Sequence, residues 1–189
     1  MKTTYRIAIA ELRSLFCSPV AWLILVIFAV QVGVAFGNAF DRQVQGQALG
    51  YTLWDVTASI FTGWMGIFPG FLRNLYLYIP LLTMGLMSRE FSSGSIKLLY
   101  SSPITSTQIV LGKYLSMMFY GLIMLAIVTI YVVFYMFVLK DFDYPVAITG
   151  LIGIYLIMCL YSAVGLFVSC LTSYQVVAAI GTFAALTIL

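Results

Sequence analysis

Few residues in this chain are of types that carry chemistry. It has no His, and its three Cys (Cys17, Cys159 and Cys170) lie singly in or beside apolar runs. Gly112-Lys113-Tyr114 lacks the upstream Gly and the following Ser or Thr of a GxxxxGK[ST] phosphate-binding loop. These absences argue against metal, nucleophilic and nucleotide chemistry on the chain itself. No catalytic, cofactor-binding or metal-ligating residue is therefore predicted.

The secondary-structure elements that carry these few polar residues must be largely apolar, because most of the chain is. Of the 189 residues, 63% are hydrophobic and 8% are charged, whereas an ordinary soluble domain has about 25% charged residues. The mean hydropathy is +1.09. The composition excludes a disordered chain, a disulfide-rich secreted domain and a typical soluble enzyme. A net charge of +3 without a block of like charges gives no sign of a nucleic-acid partner.

Windows without charge predict the membrane-spanning helices of an all-α polytopic protein, because a span needs about 20 apolar residues. Residues 1–189 are predicted to form a single transmembrane domain with four complete spans and a truncated fifth. The predicted spans are 19–37, 68–87, 114–139, 146–168 and 176–189. The last run would rise only about 21 Å, short of the hydrocarbon core of roughly 30 Å. The sequence is therefore expected to be a C-terminally incomplete part of a longer chain.

The distribution of basic residues predicts the orientation of the chain. Six of the nine lie in the N-terminal segment and between residues 89 and 113, namely Lys2, Arg6, Arg13, Arg89, Lys97 and Lys113. Lys and Arg in short loops mark the cytoplasmic side. We expect both segments inside, residues 38–55 outside, and a multi-pass protein of the cell (inner) membrane with a cytoplasmic N-terminus.

Two segments outside the spans have amphipathic patterns. Residues 2–17 are predicted to form an interfacial helix, with Tyr5, Ile9, Leu12 and Phe16 at helical spacing; the alternative is a flank that only sets topology. Residues 89–112 contain a helical patch with Ile96, Leu99 and Tyr100, a break at Ser101-Ser102-Pro103, and a second helical start. A short amphipathic helix between two spans is well placed to dock onto a soluble partner. The alternative is a solvated loop that only carries the positive-inside charges.

The second of these segments resembles the cytoplasmic segment of type-2 ATP-binding-cassette (ABC) export permeases. The resemblance rests on Glu90-x-x-x-Gly94-Ser95-Ile96-x-x-Leu99, then Pro103-Ile104 and Gly112-Lys113, with Ser95 where Thr is usual. Glu11-Leu12-x-x-x-Phe16-x-Ser18-Pro19 also resembles gliding-motility-type permease subunits.

The resemblance implies a six-span permease domain that pairs with a second permease subunit, identical or homologous, in membrane lipid. It also implies two ABC ATPase subunits, which bind ATP and Mg²⁺ in place of this chain. The segment after span two would be the coupling helix. The residues implied to meet the ATPase are Glu90, Gly94, Ser95, Ile96, Leu99, Tyr100 and Pro103.

Three functions stay open at this point. They are an ABC export permease, a membrane-anchored assembly or interaction protein without transport, and an ion-coupled carrier or channel. Arg73 is the only charge within the predicted spans, and the lack of an intramembrane Asp, Glu or His disfavours ion coupling. The four glycines Gly121, Gly150, Gly153 and Gly165 are expected to allow close helix packing. The substrate is not indicated.

Overall fold

The computed structural model describes residues 2–48, 60–63, 66–95, 105–138 and 142–188. Within these ranges the regular structure is α-helical and no strand occurs. The helices are α1 (Lys2–Cys17), α2 (Pro19–Ala48), α3 (Ile67–Thr83), α4 (Ser88–Ser93), α5 (Ser106–Val138), α6 (Tyr144–Leu171) and α7 (Gln175–Ile188).

Among the described helices, three are long and apolar enough to cross a membrane. The candidate spans are Pro19–Gly46 in α2, Ser106–Val138 in α5 and Tyr144–Leu171 in α6. α3, with 17 residues, and α7, with 14, are shorter. The prediction of an all-α, multi-pass membrane protein is thus confirmed in its class, but the count of four complete spans and a partial fifth is not confirmed.

Several helix ends differ from the predicted span ends. α2 continues to Ala48 rather than ending at residue 37, because a single Gly costs a helix only about 1 kcal/mol. α5 begins at Ser106 rather than at residue 114. Its start is stabilised by a capping box in which the Thr105 N–H donates to Gln108 Oε1 (3.3 Å) and the Gln108 N–H donates to Thr105 Oγ1 (3.4 Å).

The end of α3 is set by a contact from a distant part of the chain. α3 stops at Thr83, not at residue 87, and a turn leads to α4. Ser169 Oγ on α6 accepts hydrogen bonds from the backbone N–H groups of Met87 (3.1 Å) and Ser88 (3.3 Å), and it donates to the Met84 carbonyl (3.2 Å). Because Ser169 satisfies these groups, the chain can break here without leaving them unpaired.

α5 is the central helix of the bundle. α1 packs along its first turns, α2 and α6 pack beside it, and α3 packs on α6 and α7. The Tyr120 hydroxyl donates to the Ala21 carbonyl on α2 (2.8 Å), and the Tyr114 hydroxyl donates to the Cys159 carbonyl on α6 (3.2 Å). Tyr120 and Tyr135 are buried, so these tyrosines serve helix packing.

Glycines set the closest helix contacts, as predicted at three of the four positions. A Cβ at Gly165 on α6 would lie 2.8 Å from the Thr83 Cβ on α3, and one at Gly121 would lie 3.3 Å from the end of Met158. A Cβ at Gly150 would overlap the Phe68 ring. Gly153 has open space around it, so the prediction of close packing is wrong there.

Gly165, which is tightly packed, and Gly153, which has open space around it, lie on the same helix and give a matched test. We expect Gly165→Ala to lower the free energy of unfolding by about 1–3 kcal/mol, because the added methyl group overpacks the α3–α6 contact. Gly153→Ala should leave stability unchanged or raise it by up to about 1 kcal/mol through helix propensity. Thermal or denaturant unfolding of the purified protein in detergent measures both, and equal effects would contradict the packing described.

Candidate functional site

Three charged side chains from three helices meet at one end of the bundle. Lys113 Nζ on α5 lies 2.5 Å from Glu11 Oε1 on α1 and 2.6 Å from Glu90 Oε1 on α4. The Lys113 side chain is 2% exposed, and those of Glu11 and Glu90 are 22% and 19% exposed. We call Glu11, Glu90 and Lys113 the charged triad. It ties α1 and α4 to the start of α5.

The triad is a structural link whose separation is costly. It contains two carboxylates and one ammonium, and the second oxygen of Glu90, Oε2, is buried without a hydrogen-bond partner in the described part of the chain. A buried ion pair adds little stability compared with well-packed apolar groups, but removing one partner leaves a desolvated charge uncompensated. The role open to this site is therefore structural: it links three helices through one buried cation.

The approach of α1 to α5 depends on Gly112. A Cβ at Gly112 would lie 2.6 Å from Ile7 Cγ2, 2.8 Å from Ile7 Cβ and 3.2 Å from the Thr4 carbonyl oxygen. Only a residue without a side chain admits α1 at this distance. The close approach brings Glu11, one turn after Ile7, within reach of Lys113, the residue after Gly112.

α4 is held at both of its ends. At its start, the Ser88 hydroxyl donates to the Met84 carbonyl and the Ser88 N–H donates to Ser169. At its end, Gly94 has a φ of 71°, the left-handed conformation that favours Gly. Ser95 follows, with its Oγ 2.8 Å from Ser93 Oγ. Glu90 is thereby fixed on a short helix between two turns.

The residues predicted to meet an ATPase are only partly described. Glu90 belongs to the triad, and Gly94 and Ser95 end α4. The remaining predicted residues lie outside the described residues; they are Ile96, Leu99, Tyr100 and Pro103. The contact of this segment with an ATPase stays a prediction. The last part of the predicted segment, from Ser106 to Gly112, belongs to the first turns of α5.

The helix predicted over residues 2–17 corresponds to α1, and its contact face includes part of the predicted stripe. Ala8, which is fully buried, lies in the contact with the core. Leu12 and Phe16 pack partly against the core, Ile9 is half-buried, and Tyr5 is 55% exposed. Half of the stripe thus packs against the protein, and the Phe16 ring lies 5.8 Å from the Tyr120 ring on α5. The location of α1 at a membrane interface stays a prediction.

The sequence patterns do not bring together three residues that the structure places at this site, namely Glu11, Lys113 and Ser169. The sequence patterns give Lys113 a topological role and a place in the family pattern, and they give Glu11 a place in a family pattern, but neither pattern pairs the two, although Lys113 begins a long charge-free run. A lone cation at the start of such a run signals a need for an acidic partner. No local pattern identifies Ser169.

The fold and the site together define a multi-pass helical membrane protein with an ion-paired cluster at one end. The ABC-2 family transporter protein profile matches residues 5–189, so the chain belongs to this family. Its members are the transmembrane permease components of ABC transporters and not the ATPases, which implies association with an ABC ATPase subunit. Comparisons with curated proteins and with solved structures gave no match. The family-level resemblance is confirmed, and the gliding-motility subtype is not.

Loss of the cation should disrupt the triad. We expect Lys113→Met to lower the free energy of unfolding by about 3 kcal/mol, since it leaves two partly buried carboxylates beside each other without their cation. The triple variant Lys113→Met/Glu11→Gln/Glu90→Gln should regain most of this loss because no charge is left unpaired.

Arg13, exposed on α1, provides the control for that experiment. Arg13→Met should change stability by no more than about 0.5 kcal/mol. Denaturant unfolding in detergent compares the four proteins. Equal stability of Lys113→Met and Arg13→Met would show that the triad does not hold the helices together.

Proposed function

We propose that this chain is the permease subunit of an ABC exporter in the cell (inner) membrane. It would move substrate across or out of the membrane with ATP hydrolysed, with Mg²⁺, on a separate nucleotide-binding subunit, and it would pair with a second permease subunit. α3 and α7 would be shorter spans beside α2, α5 and α6. Kinship with gliding-motility-type permeases belongs to the same proposal.

The observation that carries this proposal is the charged triad. Because one buried cation holds α1, α4 and the start of α5, residues 2–17 and 88–113 belong on the same side of the membrane. These segments also contain six of the nine basic residues. The positive-inside rule then favours the cytoplasmic side for both.

The proposed coupling route begins at α4. Arg89, Ser92 and Ser93 on this helix are exposed, which leaves one side of α4 free to meet an ATPase while Glu90 on the other side contacts Lys113. Ile96, Leu99, Tyr100 and Pro103 would complete the contact. Movement of the ATPases on binding ATP would displace α4, and the triad would pass the displacement to α5 and α1.

The proposed interfacial role of α1 follows from the two faces of this helix that do not contact α5, one apolar and one basic. Tyr5 is exposed beside the half-buried Ile9, as suits contact with the acyl boundary of lipid. Arg6 and Arg13 are also exposed and suit lipid phosphates. α1 would then lie on the membrane surface and hold Glu11 against Lys113.

Cysteine labelling combined with cross-linking tests this proposal. In a background with Cys17, Cys159 and Cys170 replaced by Ala, one variant carries Ser92→Cys on α4 and the other carries Val44→Cys near the far end of α2. Both original side chains are exposed. We expect Ser92→Cys to react with a membrane-impermeant maleimide only from the cytoplasmic side and to cross-link to a P-loop ATPase that co-purifies with this chain. Val44→Cys should react only from outside and form no cross-link.

The outcomes separate the competing functions. Labelling of Ser92→Cys from outside would overturn the orientation. Correct labelling without any cross-link to the ATPase would favour a membrane-anchored assembly protein over a permease.

A further inference from the structure

A groove of about 340 Å³ lies between α2 and α3, away from the triad. Its walls are mostly apolar side chains of both helices. Four polar side chains also line it: Gln31, Asn38, Arg73 and Asn74. No Asp or Glu is among the described residues that line it. The described lining of the groove therefore carries one positive charge, from Arg73, and no negative charge.

Arg73 is the charged residue of this groove. Its side chain is exposed, and within the described ranges no carboxylate forms an ion pair with it. A guanidinium within a membrane helix is costly unless it reaches water or an anion, and such a residue is by default a candidate binding group. A bound anionic ligand is therefore the candidate partner for the positive charge of Arg73.

The register of α2 and α3 places Arg73 towards the end of the bundle opposite the triad. The Tyr78 hydroxyl on α3 donates to Gln31 Oε1 on α2. Arg73 lies five residues before Tyr78, or about 7.5 Å along the helix axis, in the direction away from α4. At this depth a guanidinium can meet a lipid headgroup while the apolar groove walls stay among acyl chains.

The other groups in the groove are hydrogen-bond donors beside the cation. Gln31 accepts from Tyr78 through its oxygen and keeps its NH₂ group as a donor. Asn74 and Asn38 add further amide groups. Val30 and Val34, which are 60% and 58% exposed, continue the apolar wall along α2. A cation with amide donors fits a phosphate group, and the valines fit a hydrocarbon chain.

We infer that the α2–α3 groove binds an acidic phospholipid, with its phosphate on Arg73 and an acyl chain along Val30 and Val34. This inference requires a multi-pass membrane protein but not coupling to an ATPase, so it stands or falls independently of the proposed function. Residue 70 borders the site, since a Cβ at Gly70 would lie 4.0 Å from the Arg73 guanidinium, at ordinary contact distance. A large side chain at residue 70 would fill the space beside the cation.

Lipid titration of the full chain in detergent tests the inference. Phosphatidylglycerol and phosphatidylcholine with identical acyl chains are the two probes, and native mass spectrometry measures their dissociation constants. We expect wild type to bind phosphatidylglycerol about tenfold more tightly than phosphatidylcholine. Arg73→Gln should remove this preference, and Arg73→Lys should keep part of it because the charge stays. Gly70→Leu should weaken the binding of both lipids, while the midpoint of unfolding stays unchanged.

Three results would overturn the inference. The first is an Arg73→Gln variant that keeps the wild-type preference for phosphatidylglycerol. The second is equal binding of the two lipids by wild type. The third is a dimer of this chain that Arg73→Gln dissociates without any change in lipid binding, since the groove would then be an interface between two copies.

Discussion

The arrangement of one end of this protein depends on a single buried ammonium group. Lys113 is sealed between Glu11 and Glu90, and an unpaired buried charge is far more costly than a lost surface contact. If both α1 and α4 left α5, Lys113 would lose both of its carboxylate partners. Gly112, which admits α1, and Ser169, which fixes the turn before α4, serve the same assembly.

The two ends of the bundle differ in their electrostatics. At the triad end the Lys113 ammonium is paired and enclosed, which suits the transmission of a displacement between α4, α1 and α5 in the proposed mechanism. At the opposite end Arg73 is exposed in a groove that suits an anionic headgroup. α5, with 33 residues, has a length of about 50 Å. In the proposed mechanism, movement of α4 reaches the far end of the bundle through α5.

The helical class and the approximate helix positions could be predicted from the sequence, because a bilayer demands long charge-free windows. The helix ends were less predictable. The capping box of Thr105 and Gln108 is readable from the sequence, whereas the turn before α4 depends on Ser169, 82 residues from Met87. The triad joins Glu11 and Lys113 across 102 residues, and no spacing rule links such positions. The sequence resemblance to the family rests on the joint placement of Glu90, Gly94 and Gly112-Lys113, not on any single motif, and the profile match over residues 5–189 confirms the family.

Hydrogen exchange measured by mass spectrometry tests most directly whether the triad holds three helices as one unit, because amide protection reports the free energy of local opening. Glu11→Gln should speed exchange in α1 (Lys2–Cys17) and leave α4 (Ser88–Ser93) protected. Lys113→Met should speed exchange in α1 and α4 together, while the first turns of α6 stay as in wild type. Unchanged exchange of both α1 and α4 in Lys113→Met would contradict the central role of the buried cation.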